Sequence, residues 1–97
     1  MNGKEIKELI AAQNEEALFI DGMDGNKDKF NEALIGWGHR CGTETVAIYD
    51  QDEVVDILAE EMEYEEAEEW FDYNIAGAYM GPNTPMFVVD LRKPPFV

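Results

Sequence analysis

The chain has 97 residues, 45% of them hydrophobic and 11% aromatic, and its 22 acids against seven Lys and Arg give a formal net charge of −15. That apolar content excludes a disordered acidic tail, and the length suits one domain over residues 1–97 with one modest core. The charge opposes direct contact with nucleic acid or anionic membrane, and the lone Cys41 allows neither an internal disulfide nor a zinc motif, as suits a reducing cytosol.

Lys4–Gln13 (KEIKELIAAQ) places Ile6, Leu9, Ile10 and Gln13 at helical spacing, so residues 1–15 read as an N-terminal helix. Its start, MNGKEIKELI, reads as no signal peptide, and no apolar run approaches the roughly 20 residues that span a bilayer. Ala17–Ile20 is a short apolar run ended by Asp21-Gly22, which predicts a strand. The polar stretch after it sets Asp24, Asn26 and Asp28 at the spacing of a calcium loop. Lys29 stands where such a loop needs Gly, however, and Ile35 where it needs a bidentate Glu, so the stretch reads as a solvated hairpin loop.

Glu32–Arg40 fits a helical face through Phe30, Ala33, Leu34 and Trp37, and also alternates through Ala33, Ile35 and Trp37. Gly36 and Gly38 favour the strand. Thr45–Tyr49 (TVAIY) is β-branched and aromatic, a third strand, and the three runs predict an antiparallel meander. Asp52 is expected to cap a helix that buries Val54, Val55, Leu58 and Met62. From Tyr64 a second helix follows, with Ala67, Trp70, Phe71, Asn74, Ile75 and Ala78 on one face, until Gly81-Pro82 ends it. Met86–Leu91 predicts a last strand, and residues 92–97 a proline-containing tail. The expected fold is α+β: a small antiparallel sheet of three or four strands, with helices on one face, two of them consecutive and acidic.

Between Cys41 and Leu91 there is no Lys, Arg or His, while 14 of the 22 acids lie there. Like charges at i,i+4, such as Glu65/Glu69 and Glu68/Asp72, oppose a helix by about 0.2–0.5 kcal/mol each. A mixed Lys/Glu surface would hold the helices better, so the absence of Lys asks for a reason. One is solubility. Another is that carboxylates spaced along two helices approximate the anionic ladder of DNA and fill a basic groove by the same counterion release. On that reading Glu60, Glu61, Glu65, Glu68, Glu69, Asp72 and Tyr73 form the partner-binding face, with Tyr79 as a further flanking aromatic.

The pattern VAIYD, then a helix, then EEAEEWFDYNIAGAYMGPNTPMFV resembles a group of short phage and phage-metagenome proteins of unassigned function. The likeness runs roughly over Ala17–Val89 and is densest at Tyr49, Asp50, Glu66, Ala67, Phe71, Asn74, Gly77, Ala78, Gly81, Thr84 and Pro85. Asp24–Lys29 looks like an insertion against it. The resemblance implies a phage-like origin, hence the cytoplasm of an infected bacterium. It brings no catalytic residues.

Other chemistries are weaker. Asp21, Asp50 and Asp90 each end an apolar run; Asp21 and Asp50 at one sheet edge would suit Mg²⁺ and phosphate chemistry, although Asp also simply ends strands and caps helices. His39-Arg40-Cys41 offers a base and a thiol without an orienting group or oxyanion site. Asn74, on an apolar helix face, is expected to be a structural polar residue that ties the Gly81–Pro85 turn. Trp37, Trp70, Phe71 and Phe87 are core candidates. The expectation is therefore a non-enzymatic acidic interaction or inhibitor protein, without metal or cofactor. It would be anti-defence and DNA-mimic-like, docking on a basic nucleic-acid-binding surface of a host protein, with a homodimer possible. The alternatives are a solvated accessory or structural phage protein, or a Mg-dependent enzyme using Asp21 and Asp50.

Overall fold

The structure, a computed structural model, describes residues 1–22 and 25–93; Asp24 of the calcium-like stretch and residues 94–97 of the expected tail lie outside the described residues. Helix α1 spans Gly3–Gln13. Its start is a capping box: Glu5 N donates to the Asn2 side chain at 2.9 Å, and Asn2 N donates to the Glu5 carboxylate at 3.3 Å. Strand β1 (Leu34–Gly38) follows a 3₁₀ turn at Asn31–Ala33, and strand β2 is Val46–Asp50. Then come α2 (Gln51–Leu58) and α3 (Tyr64–Phe71), the latter running into a π-helical turn at Asp72–Ala76, and strand β3 (Met86–Val88).

The fold is α+β, with a three-stranded sheet in the order β1-β2-β3. β1 and β2 are antiparallel, with Trp37 opposite Ala47, and a register shift between Leu34 and Gly36 leaves Ile35 as the extra residue. β3 runs parallel to β2, with Phe87 beside Tyr49. This corrects the all-antiparallel expectation. The connection from β2 to β3 contains two helices and returns the chain to the end of the sheet where β2 began, which is the geometry of a parallel crossover.

Ala17–Ile20 is not a strand. Its backbone donors go elsewhere: Leu18 N to the Asn83 carbonyl at 3.1 Å, and Ile20 N to the Tyr49 hydroxyl at 3.2 Å. Tyr49 is the hub of the core. It is fully buried, its ring stacks on Phe87 with centroids 5.8 Å apart, and Phe87 meets Phe71 edge-on at 5.1 Å. Burial, with Asp21 adding to it against the opposing hydrogen bond from Ile20, pushes the phenol up to about 12. Ile10, Phe30, Leu34, Val54 and Leu58 close the core around it. Trp37, expected in the core, is instead 45% exposed, because β1 is an edge strand with α1 covering only part of its face.

The expected cap of α2 also moves. Asp50, 2% exposed, is the N-cap, and one carboxylate oxygen accepts from Asp52 N at 3.1 Å and Glu53 N at 3.3 Å. The other oxygen accepts from Lys93, which also reaches Glu53 at 3.2 Å. These bonds, with that of Asp50 the foremost, hold the Lys93 ammonium well above the usual lysine range.

Candidate functional site

The lysine-free stretch folds into β2, α2, α3, the π turn and β3, and most of its carboxylates face solvent. Glu60 is exposed in the turn after α2, Glu65, Glu68 and Glu69 are exposed on α3, and Asp72 on the π turn; Tyr73 beside it is 83% exposed. Ala67, Phe71 and Ile75 turn the opposite side of the same helix into the core. Glu61 differs from the others in the set: Lys29 bonds it at 2.6 Å, which ties the Lys27–Phe30 turn to the end of α2. The described ion pairs of the remaining acids, Asp90 with Arg92 and Asp50 and Glu53 with Lys93, all lie outside α3 and its π turn.

Two local arrangements within this face escaped the sequence reading. On the flank shared by the two helices, Tyr64 gathers Asp52 and Asp56 of α2 and Glu68 of α3. Desolvation first, then Glu68, Asp56 and Asp52 in that order, raise its phenol above the ordinary tyrosine value. Glu68 lies one turn after Tyr64 and was legible as an i,i+4 neighbour. The α2 pair was not, because it depends on how the two helices pack.

On the other flank, Met62, Glu66, Glu69, Trp70, Tyr73 and Asn74 line a shallow open hollow of about 360 Å³. Carboxylates beside indole and phenol rings are the chemistry that takes an ammonium or guanidinium group, since charge and ring quadrupole both favour a cation. Glu66 and Trp70 were not in the expected partner face. Tyr79 does not join it either: it lies, largely exposed, beside a different hollow with His39 and Arg40.

Asn74 is a correction. A strict 3.6-residue period puts it on the buried face, but the helix widens at Asp72–Ala76, closed by Gly77 N donating to the Asp72 carbonyl at 3.0 Å. The wider turn shifts the phase, so Ile75 stays buried while Asn74 is exposed and its amide donates to the Trp70 carbonyl, at 3.2 Å. A side chain at Gly77 would meet the Asp72 carbonyl oxygen at 2.9 Å, which is why glycine closes this turn. The tying role expected of Asn74 belongs to Asn14, which caps the end of α1 and is 8% exposed. Its amide donates to the Thr45 carbonyl at 2.9 Å and to the Asn83 side chain at 2.8 Å, joining α1, the entry to β2 and the turn before β3.

Contrary to the sequence reading, Asp21 and Asp50 do not both end strands at one sheet edge. Asp50 is committed to the α2 cap and to Lys93, and Asp21 ends no strand. Among the described residues, no group of three or more His, Cys, Asp or Glu side chains is placed to hold a metal ion. His39, Arg40 and Cys41 are exposed at the end of β1 and in the turn that follows. Among the described residues no helix is long and apolar enough to cross a membrane. Comparison with protein-family models, with curated proteins and with solved structures finds no match to this chain.

Proposed function

We propose that this protein is a non-enzymatic acidic binder, which occupies a basic, normally nucleic-acid-binding surface of another protein through α3 and its π turn. The observation that supports this most is the exposed run Glu65, Glu68, Glu69 and Asp72 with no Lys, Arg or His between Cys41 and Leu91. The carboxylates sit on a rigid element, with Phe71 wedged against Phe87 behind them. They replace phosphates at such a surface at little ordering cost, and the partner releases the anions it held. The hollow between Glu66, Glu69, Trp70 and Tyr73 would take one Arg or Lys of that partner. With the phage-like resemblance, the target would be a host defence protein met in the bacterial cytoplasm.

The test is competition. Proteins captured from a bacterial lysate by the tagged chain should bind duplex DNA themselves, release the chain when DNA is added, and hold it less tightly as salt rises. The variant with Glu60, Glu65, Glu68 and Glu69 changed to Gln and Asp72 changed to Asn should capture none of them. Captured proteins indifferent to DNA, or a neutralised variant that still binds, would sink the reading.

A further inference from the structure

We propose that the hollow between Glu66, Glu69, Trp70 and Tyr73 is an arginine site, which takes the guanidinium group of a partner side chain in preference to the ammonium group of a lysine. This selectivity rests on the reading of α3 and its π turn as the partner-binding face. No Lys, Arg or His lines the hollow, and the stretch from Cys41 to Leu91 contains none to fold over it. Among the described residues, no hydrogen bond or ion pair reaches the carboxylate of Glu66 or of Glu69. The cation that fits there comes from another molecule.

Helical spacing builds the hollow as two adjoining columns. Glu66 stands one turn before Trp70 and Asn74 one turn after it, while Glu69 stands one turn before Tyr73. Each carboxylate therefore has an aromatic ring as its next neighbour along the helix. Trp70 is half-buried, one side of it packed on the core, so its ring is held in place; Glu66, Glu69 and Tyr73 are exposed. The wider turn at Asp72–Ala76 brings Asn74 to the rim, where an α-helical phase would have turned it inward. Its amide nitrogen is engaged by the Trp70 carbonyl, which leaves its side-chain oxygen as a third acceptor.

Acceptors beside rings call for a ligand that is flat and rich in donors. A guanidinium is both: its N–H groups fan out in one plane, which can lie against a ring while its edge reaches two carboxylates. An ammonium is compact and strongly hydrated, and a hollow this shallow leaves it most of its water. A quaternary ammonium fits less well still. It has no donor for the acceptors and binds best with rings on several sides, whereas both rings here stand on one helix.

The test titrates two blocked tripeptides, identical but for a central Arg or Lys and so of equal charge, into the isotope-labelled full chain at near-physiological salt. The arginine peptide should bind about threefold or more tighter, and should shift the Trp70 indole N–H and the amide signals of Glu66, Glu69 and Tyr73. Tyr73→Leu, at an exposed position that leaves the rest of the amide spectrum in place, should bring the two peptides to equal affinity. Glu69→Gln should narrow the difference, whereas Glu60→Gln, outside the hollow, should weaken both peptides alike. Equal affinity for the two peptides overturns the proposal, as does an arginine preference that survives Tyr73→Leu and Glu69→Gln, or no binding of either peptide. The acidic-face reading is judged apart from this. If the neutralised variant loses its captured proteins while the two peptides bind alike, that reading stands and the arginine selectivity falls.

Discussion

The two edges of this sheet carry opposite surfaces. At the β3 edge, α3 presents exposed carboxylates that, among the described ion pairs, have no Lys or Arg partner; at the β1 edge, an uncharged strand and α1 expose Leu9, Ile35 and Trp37. Both surfaces rest on the same core, yet they should answer to salt differently. Binding through the acids weakens as ions compete for the partner's charge, while the apolar edge has no charge contact to lose. A fold of 97 residues has little room to bury more, and it leaves apolar side chains exposed at the β1 edge and, as Tyr64 and Tyr73, among the carboxylates of the acidic helix.

The largest expected effect breaks this comparison if it fails. Neutralising Glu60, Glu65, Glu68, Glu69 and Asp72 should lower affinity for a basic partner by about a hundredfold or more, because several charge contacts vanish together. Trp37→Lys, at the other edge, should leave that binding intact. Titration of the two variants against one captured partner reads both. If Trp37→Lys weakened binding as well, the two edges would not be independent.

Next in size is the joint between sheet and acidic helices. Asp50→Ala removes the α2 cap and a buried acceptor for Lys93, and should cost about 2–3 kcal/mol in urea unfolding. Asp50→Asn keeps an acceptor for the first-turn amides and should recover about half of that. Amide exchange at Asp52 and Glu53 should accelerate in the Ala variant before exchange in β1 does.

Tyr49 sharpens the comparison from inside the core. Its folded pKa, about 12, lies above the ordinary value of 10.0, so the native state keeps a proton that the unfolded chain gives up. The contribution is complete below pH 10 and is lost as pH rises from 10 towards 12, a fall of roughly 2–3 kcal/mol. Tyr49→Phe should remove that alkaline dependence. It should also cost about 1 kcal/mol at neutral pH, because Ile20 N loses its acceptor.

Local patterns in the sequence carried most of this fold. The helix of α1, the β-branched run of β2 and the acidic helices follow from spacing and propensity, and the α+β class follows from them. Three features were hidden because they depend on contacts across the chain. β3 is parallel because a crossover of two helices precedes it, and a run of apolar residues reads the same in either direction. Ala17–Ile20 has strand composition, but its donors find a loop carbonyl and a phenol. Asn74 leaves the apolar face because the helix widens by one residue, and only Gly77 hinted at that. The acidic face was legible as composition. The approach of Asp52 and Asp56 to Tyr64 was not, since it exists only once α2 and α3 pack; the hollow at Trp70 follows helical spacing from Met62 to Asn74 and was there to be read.

The smallest expected effect tells whether the acids are kept for stability or against it. Glu68 lies one turn before Asp72 and shares the Tyr64 flank with Asp52 and Asp56. A lysine there would turn repulsion into attraction on both sides. Glu68→Lys should therefore stabilise the fold by about 0.5–1 kcal/mol at low salt, with the gain shrinking as salt rises. Thermal melting at two salt concentrations measures both. A gain in stability together with weaker partner binding would mean that the chain retains Glu68 at the expense of its own helix, which solubility alone does not require, since the change from −15 to −13 leaves the net charge far from zero. A loss of stability would mean that the carboxylate supports the α2–α3 contact, and the case for the acidic face as a binding surface would then rest on the remaining acids.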